Sequence, residues 1–124
     1  MQLEDSVKKL LELEMYTQTP GFIEQPVAMS KAMARMSIYT TAVETKLAEY
    51  ERDYEMEQAR LYRQLLVTEK LAATAAEKHV KIELGKLRGD IAYLTRIVAS
   101  AWRQVGVLQS RINHLVKQSE TTNL

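Results

Sequence analysis

From Val80 to Leu115, apolar residues recur in strictly alternating steps of four and three: Val80, Leu84, Leu87, Ile91, Leu94, Val98, Ala101, Val105, Leu108, Ile112 and Leu115. Such spacing holds side chains on one narrow line of an α-helix, so this stretch is expected to bury a seam against another helix. Enzyme pockets are rarely built this way. A chain devoted to long seams works by assembling and by presenting its outer faces to partners.

A second repeat precedes it: Met29, Met33, Met36, Thr40, Val43, Leu47, Tyr50, Tyr54, Glu57 and Leu61. Methionine fills irregular core space, and the polar interruptions at Thr40 and Glu57 can fix register or oligomer size. Thr19-Pro20-Gly21 reads as a turn. It separates a short amphipathic helix, about Leu3 to Met15 with Leu3, Val7, Leu10 and Leu11 on one side, from a helix whose first turn suits Pro26. The phase of the Met29–Leu61 repeat, continued, reaches Thr68, and the C-terminal repeat takes up a new frame at Val80. Thr74-Ala75-Ala76-Glu77 between them has capping-box spacing. The expected organisation is one helical domain over residues 1–124: a short helix and turn (1–19), a second helix (26–68), a third (74–118) and a frayed polar tail (119–124). A continuous helix with a stutter is the alternative to the turn at 68–74.

At about 1.5 Å per residue, each long helix would span on the order of 60 Å. The expected fold is all-α: the short N-terminal helix plus two long antiparallel helices forming a hairpin with coiled-coil-like seams. One hairpin has little interior, and Ile97 and Trp102 widen the C-terminal stripe beyond what one partner helix covers. A homo-oligomer is therefore expected, with Leu94, Ile97, Val98, Trp102, Val105, Leu108, Ile112 and Leu115 as interface candidates. Gly85 and Gly89 share a helix face and, with Gly106, would either permit close helix approach or be tolerated helix glycines.

Catalytic constellations are missing from the pattern. There is no cysteine, so thiolate chemistry is excluded and a reducing, cytoplasmic setting is expected. The acidic start Met1-Gln2-Leu3-Glu4-Asp5 lacks the layout of a signal peptide, and no apolar run is long enough for a membrane span. His79 and His114 have no metal-ligand spacing and read as surface or boundary residues. Glu49, Glu51, Asp53, Glu55 and Glu57 alternate along a helix and so spread around it instead of converging. No enzyme activity, metal or cofactor is expected.

Charge is more informative. Residues 1–69 hold 8 Lys and Arg against 12 Asp and Glu, while residues 70–124 hold 9 against 4, giving −4 and +5 within an overall +1. Arg52, Arg60, Arg63 and Lys70 fall on the second helix and the turn. Lys81, Arg88, Arg96, Arg103 and Arg111 form a slowly drifting stripe on the third, outside the seam. Tyr62 and Tyr93 lie in the same region. Cations near aromatic rings suit single-stranded nucleic acid, with charge on phosphates and rings on bases. The bland alternative is that these cations pair with the acidic second helix. Arg60, Arg63, Arg52, Lys70, Lys81 and Arg88 are the candidate DNA contacts.

The order of these segments resembles the UvsY family of phage recombination mediators. The opening Met1-Gln2-Leu3-Glu4-Asp5 is similar to that family's Met-x-Leu-Glu-Asp start. Gln58-Ala59-Arg60-Leu61 stands where the family prototype reads Lys-Ala-Arg-Leu, and Asp90 to Lys117, with Ser110-Arg111, resembles the closing helix. The resemblance implies an all-helical protein in rings of roughly six or seven subunits. It also implies a protein that binds single-stranded DNA and helps a RecA-type recombinase displace single-strand-binding protein, in the cytoplasm of a host cell. The family's DNA-contacting arginine carries over to Arg60. Its lysine position is Gln58 here, which removes one phosphate contact, and Arg63 one turn on could compensate. The loop between the long helices is shorter than the prototype's. A helical scaffold or assembly protein that binds only protein partners is the other reading.

Overall fold

The computed structural model describes residues 2–19, 21–22 and 25–122, with backbone only for Thr121 and Thr122. Among them the protein is all-helical, with four α-helices and no strand: α1 (Leu3–Thr17), α2 (Pro26–Val67), α3 (Ala73–Glu83) and α4 (Gly85–Thr122). Pro20 of the expected turn, and residues 123–124 of the expected tail, lie outside the described residues. Contacts divide the chain into two units. One comprises Met1–Glu44 and Arg96–Leu124, the other Thr45–Thr95.

In the first unit, α1 begins at Gln2, whose extended backbone supplies no side-chain cap, and Glu4 and Asp5 in the first turn complement the positive end of the helix. Its covered side differs from the expected one. Ser6 and Leu10 are buried and Leu3, Val7 and Leu13 half-buried, while Leu11 is exposed. A helix turns 100° per residue, so Leu11 falls at the rim of a stripe centred on Leu3, Ser6 and Leu10 and is 42% exposed. Beyond α1, Gly21 takes φ 83°, a left-handed conformation that glycine adopts without strain. Phe22 then turns inward, its ring meeting Tyr16 edge-on at 5.0 Å between centroids.

The seam residues of α2 in this unit are close-packed: Met29, Met36, Thr40 and Val43 are essentially inaccessible, and Ala32 widens the stripe. Thr40 keeps its place in an apolar seam because its Oγ1 donates to the Met36 carbonyl at 2.6 Å. The hydroxyl is thus satisfied within its own helix and needs no partner across the seam. Ala101 and Leu108 of α4 are buried in the same unit. Ile97 lines a small void of about 20 Å³ together with Leu10 and Glu14 of α1 and Met36 of α2. The widening of the stripe at Ile97 is therefore met by α1. At Trp102 the ring remains partly exposed and its Nε1–H donates to Glu44 Oε1.

In the second unit, α2 continues through Leu47 and half-buried Tyr50, Tyr54, Glu57 and Leu61 to buried Leu65. The chain then reverses. Glu69 N–H bonds the Gln64 carbonyl at 3.2 Å, and Leu71 N–H bonds the Leu65 carbonyl at 3.0 Å across a left-handed Lys70 (φ 55°). The Leu71–Leu65 bond spans seven residues, one more than the 6→1 bond of a Schellman motif, and closes the helix end over the left-handed residue. Leu65, Ala76 and Val80 form the unit's core, with Leu61, Tyr62, Leu66 and Leu84 packed against it.

Three expectations about the chain beyond the α2–α3 turn are corrected. The capping box at Thr74–Glu77 does not form, because α3 starts earlier: Ala72 is the cap residue, without a side-chain bond, and Ala76 N–H reaches the Ala72 carbonyl at 2.9 Å. The turn is complete by Leu71, and Ala72-Ala73 are strong helix formers, so the helix runs past the threonine. The third helix is not one element, since Leu84 departs from helical geometry (φ −97°, ψ 12°) beside Gly85. The ladder survives on both sides, with Leu84 N–H on the Val80 carbonyl at 2.9 Å and Arg88 N–H on the Leu84 carbonyl at 3.0 Å. Finally, α4 runs on over Ser119 to Thr122, past the Gln118 end expected for the third helix.

All eleven positions of the C-terminal repeat are covered. Val80, Leu94, Ala101 and Leu108 are buried and the rest half-buried, whereas between them only Ile97, Ser100 and Gln104 are covered as well. Adjacent residues therefore differ sharply. Leu108→Ala should cost about 2–5 kcal/mol by lost burial and cavity formation, and Val107→Ala, 54% exposed, under about 0.5 kcal/mol, as read by urea unfolding. Ala72→Ser supplies the missing cap of α3 and should raise stability by about 1 kcal/mol in the same assay.

Candidate nucleic-acid interface

All six candidate DNA contacts, Arg52, Arg60, Arg63, Lys70, Lys81 and Arg88, belong to the Thr45–Thr95 unit, and all are exposed. The structure brings Arg60 and Arg63 together. One turn apart on the last turns of α2, they line a surface groove of about 490 Å³ with Ala59, Gln64, Val67 and Thr68. Val67 gives this groove an apolar floor that is 67% exposed. Arg52, Lys81 and Arg88 stand elsewhere on the unit, and Lys70 occupies the left-handed position of the α2–α3 turn.

Arg60 is held by its own helix. Its Nη2 meets Glu57 Oε2 at 2.7 Å, its Nε meets both Glu57 oxygens at 3.2 Å, and its Nη1 donates to Gln64 Oε1 at 3.4 Å. The bond from Arg60 holds the Glu57 carboxyl below the ordinary glutamate range, and the same bond keeps the guanidinium more firmly protonated. Both groups are in water, so the pair is screened by salt and readily exchanged. Arg60 is thus oriented by Glu57 but remains free to meet a stronger anion. Arg63 makes no ion pair among the described residues.

Lys9–Glu12 (3.6 Å), Lys46–Glu49 (3.3 Å) and Arg60–Glu57 (2.7 Å) form ion pairs, each within one helix at i,i+3. None involves Lys81, Arg88, Arg96, Arg103 or Arg111. The exposed acids Glu51, Asp53 and Glu55 are likewise without an ion-pair partner among the described residues. On α4, Arg103, Arg111 and His114 border a shallow depression of about 640 Å³ around Gly106 and Val107. A Cβ added at Gly85, Gly89 or Gly106 would meet nothing within 4 Å, so no described residue of the chain makes a close approach there.

The two aromatic rings noted in the basic region separate. Tyr62 packs against the Leu65–Ala76–Val80 core, where it fills space, whereas Tyr93 is 48% exposed on α4. Of the eight interface candidates, Leu94 and Leu108 are already covered by the chain itself; Ile97, Val98, Val105, Ile112 and Leu115 are half-buried; only Trp102 is exposed. His79 and His114 are exposed. No group of His, Asp and Glu among the described residues could hold a metal ion, and no described helix is long and apolar enough to cross a membrane.

One cationic cluster escaped the sequence reading. In the other unit, Lys9 of α1 and Lys31 and Arg35 of α2 border a groove of about 650 Å³ with Tyr16 and Tyr39. The signal was an i,i+4 row on α2, hidden by the acidic balance of the first half.

No protein-family model matches the chain, and neither curated proteins nor solved structures yield a match.

The Glu57–Arg60 pair has a testable pH signature. Because the carboxyl is lowered, any stabilisation from the pair is present above the ordinary glutamate range and lost as pH falls through the depressed value. NMR titration of the Glu57 side-chain carboxyl should find it below the ordinary glutamate range, and Arg60→Gln should return it to that range.

Proposed function

We propose that this chain is a non-enzymatic recombination mediator. As a homo-oligomer it binds single-stranded DNA and promotes loading of a RecA-type recombinase onto DNA coated with single-strand-binding protein. The observation that carries the reading is the exposed Arg60–Arg63 pair in one groove, with Arg60 on the Ala59-Arg60-Leu61 segment that resembles the family's DNA-contacting stretch. Lys81, Arg88, Arg96, Arg103 and Arg111, which make no ion pair among the described residues, support it, since charge left unneutralised is available to an anionic partner. In this reading α2 and the α3–α4 arm fold back as an antiparallel hairpin, and hairpins associate into rings of roughly six or seven subunits. The setting is the cytoplasm of a host cell.

The mechanism is physical. Each subunit offers a few phosphate contacts of modest strength, and assembly makes successive contacts intramolecular, multiplying weak sites into avid binding. A strand held along such an assembly can be kept in a conformation that the recombinase accepts. Gln58 in place of the family's lysine removes one contact, and Arg63 replaces it from the next turn.

A scaffold that binds only protein is the second reading, favoured by isolated exposed apolar side chains such as Ile38 (63%), Met56 (64%) and Ile82 (77%). Fluorescence anisotropy of a labelled oligothymidylate across a salt series, with duplex DNA as competitor, separates the two. The mediator reading expects micromolar or tighter binding that weakens steeply with salt and resists duplex. Arg60→Glu/Arg63→Glu should weaken it at least about tenfold and reduce the salt slope by about 1.4, the value for two single-strand phosphate contacts. Unchanged binding by the double variant removes the site assignment. No binding by the native protein at low salt removes the mediator reading in favour of the scaffold.

A further inference from the structure

The groove between α1 and the start of α2 has the composition of a binding site that the Arg60–Arg63 reading does not use. On α2, Val27, Lys31, Arg35 and Tyr39 recur every four residues and so form one row along its flank; Lys9 and Tyr16 of α1 border the same groove of about 650 Å³. Among the described residues, three cations therefore line it against one acid, Glu12, which is occupied with Lys9 at 3.6 Å. Lys31 and Arg35 are exposed and make no ion pair among the described residues. The Tyr16 ring is 48% exposed, and its orientation is set by the edge-on contact with buried Phe22 at 5.0 Å and 71°. Its volume lies within the range of roughly 300–1,000 Å³ that holds small ligands.

We infer that this groove is a second single-strand contact, taking phosphates on Lys31 and Arg35 and stacking a base on Tyr16. Cations interleaved with a fixed, accessible ring match a ligand that alternates anionic and flat aromatic groups, which is what an unpaired nucleic-acid strand presents. An acidic peptide would satisfy the cations and leave the ring unused. A duplex keeps its bases stacked internally and could not reach Tyr16 with them. The inference rests on the nucleic-acid reading above but assigns different residues in the other unit, so the two can fail separately.

The test uses the full chain and labelled oligothymidylate in a salt series, with circular dichroism confirming native helicity of each variant. Lys31→Glu/Arg35→Glu should lower affinity about tenfold or more and reduce the salt slope by about 1.4. Tyr16→Leu should lower affinity about tenfold with the slope unchanged, because stacking releases no counterions. Photocrosslinking of the native protein to an iodouracil-substituted strand, mapped by mass spectrometry, should mark Tyr16, a readout that needs no substitution. Native binding by Lys31→Glu/Arg35→Glu alongside weakened binding by Arg60→Glu/Arg63→Glu overturns this inference and spares the other site. The reverse pattern supports the groove and overturns the Arg60–Arg63 assignment. Charge-reversal loss without any effect or crosslink at Tyr16 overturns the base-stacking assignment and makes an acidic peptide the fitting occupant. No binding of the strand by the native protein overturns both.

Discussion

The narrow apolar seam is the constraint from which the other features follow. Where Met29, Met36 and Val43, or Leu94, Ala101 and Leu108, are sealed from water, the register of the helix is set, because a slip of one residue would rotate the line by 100° and put Ser30, Ser37 and Glu44, or Thr95, Trp102 and Gln109, in its place. Burying a leucine-sized side chain is worth about 1.5–3 kcal/mol, so a run of such positions outweighs single caps and surface ion pairs. This is why α3 can begin on an uncapped Ala72 and why the glycines of α4 are tolerated. It also explains the treatment of polar groups on the seam. Thr40 survives there by returning its hydroxyl to its own helix, at no cost to the packing.

The same geometry decides where charge goes. A helix that dries one stripe leaves most of its circumference in water, and side chains three residues apart are the nearest neighbours there. The pairs Lys9–Glu12, Lys46–Glu49 and Arg60–Glu57 are accordingly local, i,i+3, each within a single helix. Opposite charges sorted into different halves of the sequence do not meet merely because they are complementary. Their mutual attraction in water is about 1 kcal/mol at contact and falls off within a Debye length. Cations such as Lys31, Arg35, Arg63 and Arg103 are thereby left on the surface with water as their main partner. A polyanion can recruit them, because it gains entropy by releasing its own counterions.

Aromatic residues illustrate how little their presence in a basic stretch says. Tyr62 and Tyr93 look alike in sequence, yet Tyr62 helps close the core at the α2–α3 turn and Tyr93 points to solvent. Tyr16, outside the basic stretch, is exposed and held by Phe22 beside three cations.

The helical class, the seam positions and the approximate limits of α1 and α2 were determined by the sequence alone, because hydrophobic period, proline and glycine act over one or two turns. Exposure of the six candidate cations was legible on the same grounds, since they fall outside the seam. Other features were decided only in three dimensions. The start of α3 depends on the Leu71–Leu65 bond across a left-handed Lys70. The cover over Ile97 is Leu10 and Glu14, more than eighty residues earlier. The meeting of Lys9 with Lys31 and Arg35 depends on how α1 lies on α2. Each of these requires segments distant in sequence to touch, and a local periodicity specifies which face of a helix is dry without specifying what lies against it.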